Sequence, residues 1–394
     1  MGEYGTEGFQ FADPAIRFVE ERDIDAMSNL FRLNYGETYP YLEVYDGRWV
    51  KRSIYGEGII CLVFEEAGEV LATGAVMLDY GDYNDQIGEL ARLVVHTDRI
   101  GGKLGQRIIN ALYDVAGEHL EFAFGRTRTA NTFSQMVMGR AGFEPIGFVP
   151  RCFALAENRE AAILMGKLHG NGGALRCEDS PHVIAEVAPL ARHALKAMGL
   201  AATLSVVEDC PAYPEEAICS MQPLERGSLE KLARIEHGRL VEPLLFGGVS
   251  LDQGLSYIRR RNAVYMMAMD EKQNPVGAVG YQEDKTSRLV KGVELIAANK
   301  NLRGHLCGSL LREAERLGAE IIEVNVSAYD ARLQRTFHEH GFRPVAYMPA
   351  MVFHGTHRLD VIKMLRLNVP YEPGEMMLTE KAREVVEIVE AGFK

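Results

Sequence analysis

The chain has 394 residues, of which 47% are hydrophobic and 25% are charged, and its formal net charge at pH 7 is −12. This length favours two domains, and the two fractions are those of ordinary globular proteins rather than disordered or fibrous ones. The acidic excess argues against a broad basic surface for nucleic acid, whereas it would tolerate a cationic amine substrate. No apolar run approaches the roughly 18 residues that span a bilayer, so no membrane partner is expected.

The cysteines show no CxxC pair and no regular spacing, so they predict neither a zinc site nor a disulfide framework. They are Cys61, Cys152, Cys177, Cys210, Cys219 and Cys307. We therefore expect no metal, and a reducing cytoplasm as the location.

In chain order, the first half predicts a strand at 16–20, a helix that Asp23 can cap, a strand hairpin at 58–64 and 70–77, and a strand at 89–95. A glycine-containing loop and an amphipathic helix follow. The helix has an apolar stripe formed by Leu104, Ile108, Leu112 and Val115. A further strand, a short helix and a last strand complete the set.

The same order recurs in the second half. The segment Gly142-Phe-Glu-Pro-Ile-Gly-Phe-Val-Pro150 returns 199 positions later as Gly341-Phe-Arg-Pro-Val-Ala-Tyr-Met-Pro349, and upstream Gly105 is matched by Gly308 at an offset of 203. A helix after Ser228, a hairpin at 263–269 and 276–281, and a strand at 293–298 repeat the earlier elements. The order β-α-β-β-β-α-β-α-β indicates an α+β fold present twice.

This repeat divides the chain into four parts. They are a first domain at 15–168, a bridging segment at 169–215 with a helical pattern at 181–199 and a strand at 203–207, a second domain at 216–368, and a tail at 369–394 with a helix at 379–391.

Two loops have the composition of an anion site. Arg99-Ile-Gly-Gly-Lys-Leu-Gly105 and Arg303-Gly-His-Leu-Cys-Gly308 each join a strand to a helix. The first N–H groups of a helix lack helical partners, glycines let a phosphate approach the backbone, and Lys103 or Arg303 adds a cation. Such a loop is also compatible with a plain structural turn.

In this order of elements, the loops resemble the pyrophosphate loop of the GNAT acyltransferase family. Leu93-Val-Val-His-Thr-Asp98 resembles that family's fourth strand, and Asn131 lies eleven residues before Gly142, where the family's next motif expects it. Asp330 takes the asparagine's place in the second copy. The resemblance covers residues 15–168 and 216–368, and it implies two tandem GNAT folds, each a mixed central sheet flanked by helices.

The resemblance implies an acyl-CoA-dependent N-acyltransferase, with acetyl-CoA as the expected co-substrate, in which a small amine attacks the thioester directly. It assigns coenzyme contacts to Leu93, Val94, Val95, Ile100, Gly101, Gly102, Lys103, Leu104, Gly105, Gln106, Asn131 and Ser134 in the first copy, and to Arg303, Gly304, Gly308 and Ser309 in the second.

Three residues are candidates for catalysis. By their place on the fourth strand, Glu89 and Glu294 are candidate bases that act through water, although each is also compatible with a solvated charge at a strand edge. Ser134 is expected to touch the pantetheine arm or the sulfur, or else to cap its helix.

Both copies depart from the family pattern. The frequent tyrosine acid is replaced by Met138 in the first copy and by Phe337 in the second, so an acid must come from elsewhere. Further candidates for the acceptor pocket are two arginines on one strand face and a tyrosine cluster. These residues are Arg126, Arg128, Tyr35, Tyr39, Tyr41 and Tyr45.

We expect one main coenzyme site, in the first copy, because this copy retains Asn131 and the small Gly101-Gly102 pair. Two other interpretations remain open: a non-catalytic protein that binds acyl-CoA, and a tandem GNAT-fold aminoacyl transferase that uses no CoA. The sequence specifies neither the acceptor amine nor the oligomeric state.

Overall fold

The computed structural model describes residues 9–55, 58–80, 85–155, 158–235, 244–247 and 262–393. The chain divides into two compact units. The first comprises the described residues up to Ala174 together with Gly374–Glu384, and the second comprises Leu175–Pro373 with the residues from Val385 onward. Most of the predicted bridging segment therefore belongs to the second unit.

The first unit consists of a mixed sheet with helices. Its elements are β1 (Ile16–Phe18), α1 (Ile24–Tyr35), α2 (Gly47–Tyr55), β2 (Ile59–Glu66), β3 (Glu69–Tyr80), β4 (Ile87–Val95), α3 (Leu104–Ala116), β5 (Phe122–Arg128), α4 (Phe133–Arg140), β6 (Glu144–Leu155) and β7 (Asn158–Leu168). The strand order is β1-β2-β3-β4-β5-β7-β6. Strands β4 and β5 are parallel, and the other neighbours are antiparallel.

The predicted element order is confirmed with two differences. The single last strand is in fact the hairpin β6–β7. Helix α2 was not predicted, because it is short and a serine, Ser53, lies on its buried face beside Val50. Hydrophobic periodicity alone does not detect a helix of this kind.

Helix α3 is held against the sheet by its predicted stripe. Leu104, Ile108, Leu112 and Val115 are all buried, and each such side chain contributes about 1.5–3 kcal/mol. Close approach requires Gly74 on β3, because a Cβ there would lie 2.7 Å from Cγ2 of Ile108. This packing fixes where the N-terminus of α3 points.

The second unit repeats the arrangement. Its elements are β8 (His182–Ile184), α5 (Ala188–Ala197), β9 (Ser205–Val207), β10 (Ser220–Pro223), β11 (Val264–Met269), β12 (Pro275–Asp284), β13 (Leu289–Ala297), α6 (Leu302–Arg316), β14 (Ile321–Ser327), α7 (Ala331–Glu339), β15 (Arg343–His354) and β16 (His357–Leu367); α8 (Glu380–Ala391) follows. The main sheet has the order β15-β16-β14-β13-β12-β11-β10, with β13 and β14 parallel, and β8 pairs with β9. The helix predicted after Ser228 is a 3-10 segment (Arg226–Arg234), because the backbone at Ser228 is not helical.

A buried glutamine recurs at the repeat offset and anchors a chain segment in each unit. In the first unit, Gln135 donates to the carbonyl of Met377 (2.9 Å) and accepts from the N–H of Thr379 (3.0 Å). In the second, Gln334 accepts from the N–H of Ile184 (3.2 Å) and donates to the carbonyl of His182 (3.0 Å). The two units therefore share this way of anchoring a chain segment, which the sequence did not predict.

Candidate active site

The two parallel strands of the first unit separate and leave a cleft between them. Residues 87–89 of β4 pair with residues 122–124 of β5, and beyond these the strands diverge. We call this opening the first cleft. It contains a cavity of about 140 Å³ lined by residues 89–93 and 125–128 of the two strands, with residues 35, 39–41, 131, 133, 134 and 153 among the other lining positions.

Glu89 lies at the last paired position before the strands diverge, and it lines the cavity while being only 6% exposed. The Nε and Nη2 atoms of Arg126 lie 2.8 and 2.7 Å from its Oε1 atom. The ion pair fixes the orientation of the carboxylate. The structure therefore places this candidate base inside the cleft rather than at a solvated edge.

Tyrosines from the segment after α1 form another part of the wall. The ring of Tyr39 stacks near those of Phe31 and Tyr35, with centroids 4.8 and 4.9 Å away, and Tyr41 lies edge-on to Phe153. Desolvation raises the pKa of both Tyr39 and Tyr41 above the ordinary value of 10. Both phenols therefore keep their protons at neutral pH.

The N-terminus of α3 is exposed. The loop reaches the helix through Gly101 (φ +90°) and Lys103 (φ +64°), and residues 100–103 face solvent. The first helical bond runs from the N–H of Arg107 to the carbonyl of Lys103, so the N–H groups of residues 104–106 have no partner within the helix. The left-handed residue is a lysine where glycine is favoured, which costs about 1–2 kcal/mol.

Asn131 and Ser134 line the cavity at the start of α4. The side-chain oxygen of Asn131 accepts from the N–H of Phe133 (3.0 Å), the first residue of α4. The Oγ atom of Ser134 is buried and has no hydrogen-bond partner among the described residues. The alternative expectation that Ser134 is the cap is therefore wrong.

The other predicted coenzyme residues of the first copy lie on β4 and in the first turn of α3. Leu93 lines the cavity, the side chains of Val94 and Val95 are buried, and Leu104 and Gln106 lie in the first turn of α3. Gly105 lies between Leu104 and Gln106. A Cβ at this position would lie 3.3 Å from the ring of Phe133 and 3.5 Å from Leu93. A larger residue at Gly105 would therefore press on the cavity wall.

The second unit has the same divergence, between β13 and β14, which we call the second cleft. Strand pairing covers residues 289–292 and 321–324. Beyond these, residues 244–247, which we call the plug, lie between the strands. The N–H of Gly247 donates to the carbonyl of Val293 (2.9 Å), the N–H of Phe246 to that of Asn325 (2.9 Å), and the N–H of Ser327 to that of Leu244 (3.1 Å). The second cleft is thus filled by the chain's own backbone.

Glu294, the second candidate base, is 0% exposed. The hydroxyl of Tyr265 donates a hydrogen bond of 2.6 Å to its Oε2 atom. A carboxylate that is enclosed and hydrogen-bonded in this way is typical of a structural group, in contrast to the cavity-lining Glu89.

Residues 213–215, which we call the cover, lie over the first turn of α6. A Cβ on Gly304 would be 2.3 Å from the carbonyl oxygen of Pro214, and one on Gly308 would be 2.6 Å from Oε1 of Glu215. Arg303 is buried and donates to the hydroxyl of Tyr213 (2.8 Å) and to Asp330 (2.9 Å). Ser309 is buried as well. The four coenzyme residues predicted in the second copy therefore lie beneath or beside the cover, or are enclosed.

Sequence reasoning missed Arg92, Phe133 and Phe153, all of which line the first cavity. A signal existed for Arg92, since it is the one charged residue in the run Leu90-Ala-Arg-Leu-Val-Val95. For the two phenylalanines there was none, because aromatic residues are common in any core.

In the described part of the chain, no helix combines the length and apolar character needed to cross a membrane. The same residues contain no group of three or more His, Cys, Asp or Glu side chains arranged to hold a metal ion.

No family model matches the sequence, and no curated protein matches it either. Solved structures do match. A ribosomal-protein-alanine N-acetyltransferase from Brucella melitensis is 21% identical, with a TM-score of 0.33, over 39% of this chain and 98% of that one. An acetyltransferase from Salmonella typhimurium, solved with acetyl-CoA, is 19% identical with a TM-score of 0.33, over 39% of this chain and 92% of that one.

A third match is an acetyltransferase of the GNAT family from Streptococcus pneumoniae, at 18% identity and a TM-score of 0.34, over 39% of this chain and 98% of that one. Each match spans almost the whole neighbour, so it corresponds to a single domain of this chain. In fold, the chain is similar to the GNAT acetyltransferases over the length of one such domain.

Proposed function

We propose that the chain is an acyl-CoA-dependent N-acyltransferase, with acetyl-CoA as donor and a small amine as acceptor, and that its first unit carries the reaction. The observation that supports this most is the first cleft. It combines a cavity, a candidate base and an unpartnered hydroxyl within one unit whose neighbouring helix N-terminus is exposed.

The residues present fit the coenzyme. A Cβ at Gly101 would meet nothing within 4 Å, so the loop leaves room for a phosphate group beside its N–H groups. Lys103 would add a positive charge, and the buried Oγ of Ser134 lacks a partner that a bound arm would supply. When bound, acyl-CoA supplies a thioester carbonyl that the acceptor amine attacks directly.

The chain's own residues manage the protons. An acceptor amine is mostly an ammonium at neutral pH, and Glu89 accepts its proton through a water molecule. Arg126 keeps this carboxylate oriented. Because Met138 cannot donate a proton, the protonated phenols of Tyr39 and Tyr41 take the place of the family's usual acid, and Ser134 donates a hydrogen bond toward the sulfur.

The second unit is proposed to be structural. Its cleft holds the plug and its helix N-terminus lies under the cover, so the chain itself occupies the space beside Val293, Asn325 and Gly304. We therefore assign one coenzyme to each chain.

One observation favours a second candidate, a non-catalytic protein that binds acyl-CoA: Met138 lies in the cavity wall where the family's acid is usual. One experiment separates the two. Acetyl-CoA is added to the full chain, its melting temperature is measured, and thiol release is followed with a panel of small amines. We expect a rise in melting temperature and acceptor-dependent thiol release. A rise without release from any amine would support the second candidate, and no rise would contradict both.

A further inference from the structure

We propose that the acceptor carries a carboxylate beside its amine, as an amino acid does, and that Arg92 binds this carboxylate. This inference rests on the proposed function of the first unit. It concerns the end of the cavity formed by the tyrosine segment and β4.

The backbone places Arg92 at a bulge. Its φ is +57°, and the register between β3 and β4 shifts between Thr73 and Ala75, opposite residues 91–94. A left-handed backbone at a residue other than glycine is strained, and it persists only where the surrounding structure enforces it. At this position the bulge places the arginine in the wall of the cavity, inside an otherwise apolar run.

The guanidinium of Arg92 has one carboxylate partner and one donor atom without an acceptor. Its side chain is 10% exposed, and its Nη2 atom lies 2.7 Å from Oε1 of Glu43. The guanidinium carbon lies 4.0 Å from the ring centroid of Tyr41 and 5.7 Å from that of Trp49. Its Nε atom is buried without a hydrogen-bond partner among the described residues. A buried cationic donor without an acceptor is costly, and a carboxylate would supply the acceptor.

The charged groups in the cavity wall also favour a carboxylate on the acceptor. Arg92, Arg126 and Arg128 line the cavity, whereas Glu89 is the one carboxylate among the lining residues. The carboxylate partners of Arg92 and Arg128 are Glu43 and Glu160, neither of which lines it. Although the chain's net charge is −12, the cavity wall thus presents more guanidinium than carboxylate groups to a bound acceptor.

The size of the cavity limits the acceptor. Its volume is about 140 Å³. A small amino acid therefore fits this space better than a large amine such as an oligosaccharide.

The test compares matched acceptors with the full chain and acetyl-CoA. The acceptors are L-leucine, L-leucinamide and isoamylamine, and the aromatic set L-tyrosine, L-tyrosinamide and tyramine. For the wild type we expect kcat/KM to be highest for the acid. The Arg92→Gln substitution should lower kcat/KM for the acid by roughly 10- to 100-fold, because losing a hydrogen bond to a charged group weakens binding by about that factor. The same substitution should change kcat/KM for the amide little.

The fraction of acceptor present as free amine differs among these compounds. The decisive quantity is therefore, for each acceptor, the kcat/KM of the variant divided by that of the wild type. Arg92→Lys keeps the charge without the fork of donors and should be intermediate. Arg140→Gln, an exposed arginine on α4, serves as the matched control and should leave all ratios at one. Calorimetric titration of acetyl-CoA checks that each variant is folded and binds.

The outcomes are distinct. Turnover in which Arg92→Gln leaves kcat/KM for the acid at the wild-type value would overturn this inference and leave the proposed function standing. An equal loss for acid and amide in Arg92→Gln would also overturn it, because it would show that Arg92 only supports the fold. No turnover of these six acceptors would overturn this inference, and it would overturn the proposed function as well only if the wider panel of small amines also gave no thiol release.

Discussion

The two clefts have the same strand topology and different contents. In the first unit, β4 and β5 diverge around a cavity, and in the second, β13 and β14 diverge around the plug. Diverging strands leave backbone N–H and C=O groups without ladder partners, and such groups must be satisfied when buried. The plug does this in the second unit. A split sheet can therefore serve as a slot for a ligand or as an acceptor for the chain's own backbone.

The helix N-termini beside the clefts differ in the same way. At α3 the loop residues 100–103 are exposed, and the cation Lys103 stands at the helix start. At α6 the carbonyl oxygens of the cover lie against Gly304, and Arg303 is paired with Asp330. Carbonyl oxygens present partial negative charge near a helix N-terminus, where a phosphate would present full negative charge. In the second unit the chain's own backbone therefore occupies the space beside Gly304.

The largest expected difference between the clefts is in catalysis. Glu89→Gln should lower kcat by about 10²–10⁴-fold, because it removes the general base while keeping the shape of the side chain. Glu294→Gln is the matched change in the second cleft and should leave kcat within about twofold of the wild type. Thiol release with acetyl-CoA and a working acceptor measures both. Equal losses in the two variants would show that the two carboxylates do not differ in role.

The plug can be tested through stability. A Cβ on Gly247 would lie 2.3 Å from Cβ of Val293 and 2.4 Å from its Cα, so Gly247→Ala should cost roughly 1–3 kcal/mol of unfolding free energy. Hydrogen exchange should also quicken at the N–H of Ser327, which donates to the plug. Denaturation followed by circular dichroism, with hydrogen exchange read by mass spectrometry, provides the measurement.

Gly374→Ala is the control for this change, since a Cβ there meets nothing within 4 Å. Trp49, the only tryptophan, lies in the first unit, so its fluorescence follows the unfolding of that unit separately. Unchanged exchange at Ser327 in Gly247→Ala would mean that the plug is not held as described.

A smaller effect is expected at Lys103. Lys103→Asn removes the cation while tolerating the left-handed backbone, so coenzyme affinity should fall only a few-fold, by about 0.3–1 kcal/mol, with stability unchanged or slightly higher. Titration calorimetry at two salt concentrations measures this, and the loss should shrink at high salt. A loss that is independent of salt would argue against a charge contact with phosphate.

Much of the fold was predictable, because it depends on local patterns that occur twice. The stripe from Leu104 to Val115 and the matched glycines 105 and 308 indicated the loop and helix in each copy. Glu89 and Ser134 were found by their positions in this pattern, and both line the cavity. The base and the hydroxyl were thus accessible to sequence reasoning.

The difference between the clefts was not predictable. The plug pairs residue 247 with Val293 and residue 246 with Asn325, and the cover reaches Gly304 from far upstream. Contacts over such separations leave no periodicity in a single sequence. Leu-Leu-Phe-Gly at 244–247 has only the character of a short apolar run, which fits many kinds of structure.

We propose that the coenzyme binds the first unit and not the second. Calorimetric titration of CoA into the wild type, Gly105→Val and Gly308→Val tests this. Gly105→Val would press on Phe133 and Leu93 in the cavity wall, whereas Gly308→Val meets the end of the flexible Glu215 side chain. We predict one CoA per chain in the wild type, loss of binding in Gly105→Val, and binding close to wild type in Gly308→Val. Two CoA molecules per chain, or loss in Gly308→Val with binding kept in Gly105→Val, would contradict the account.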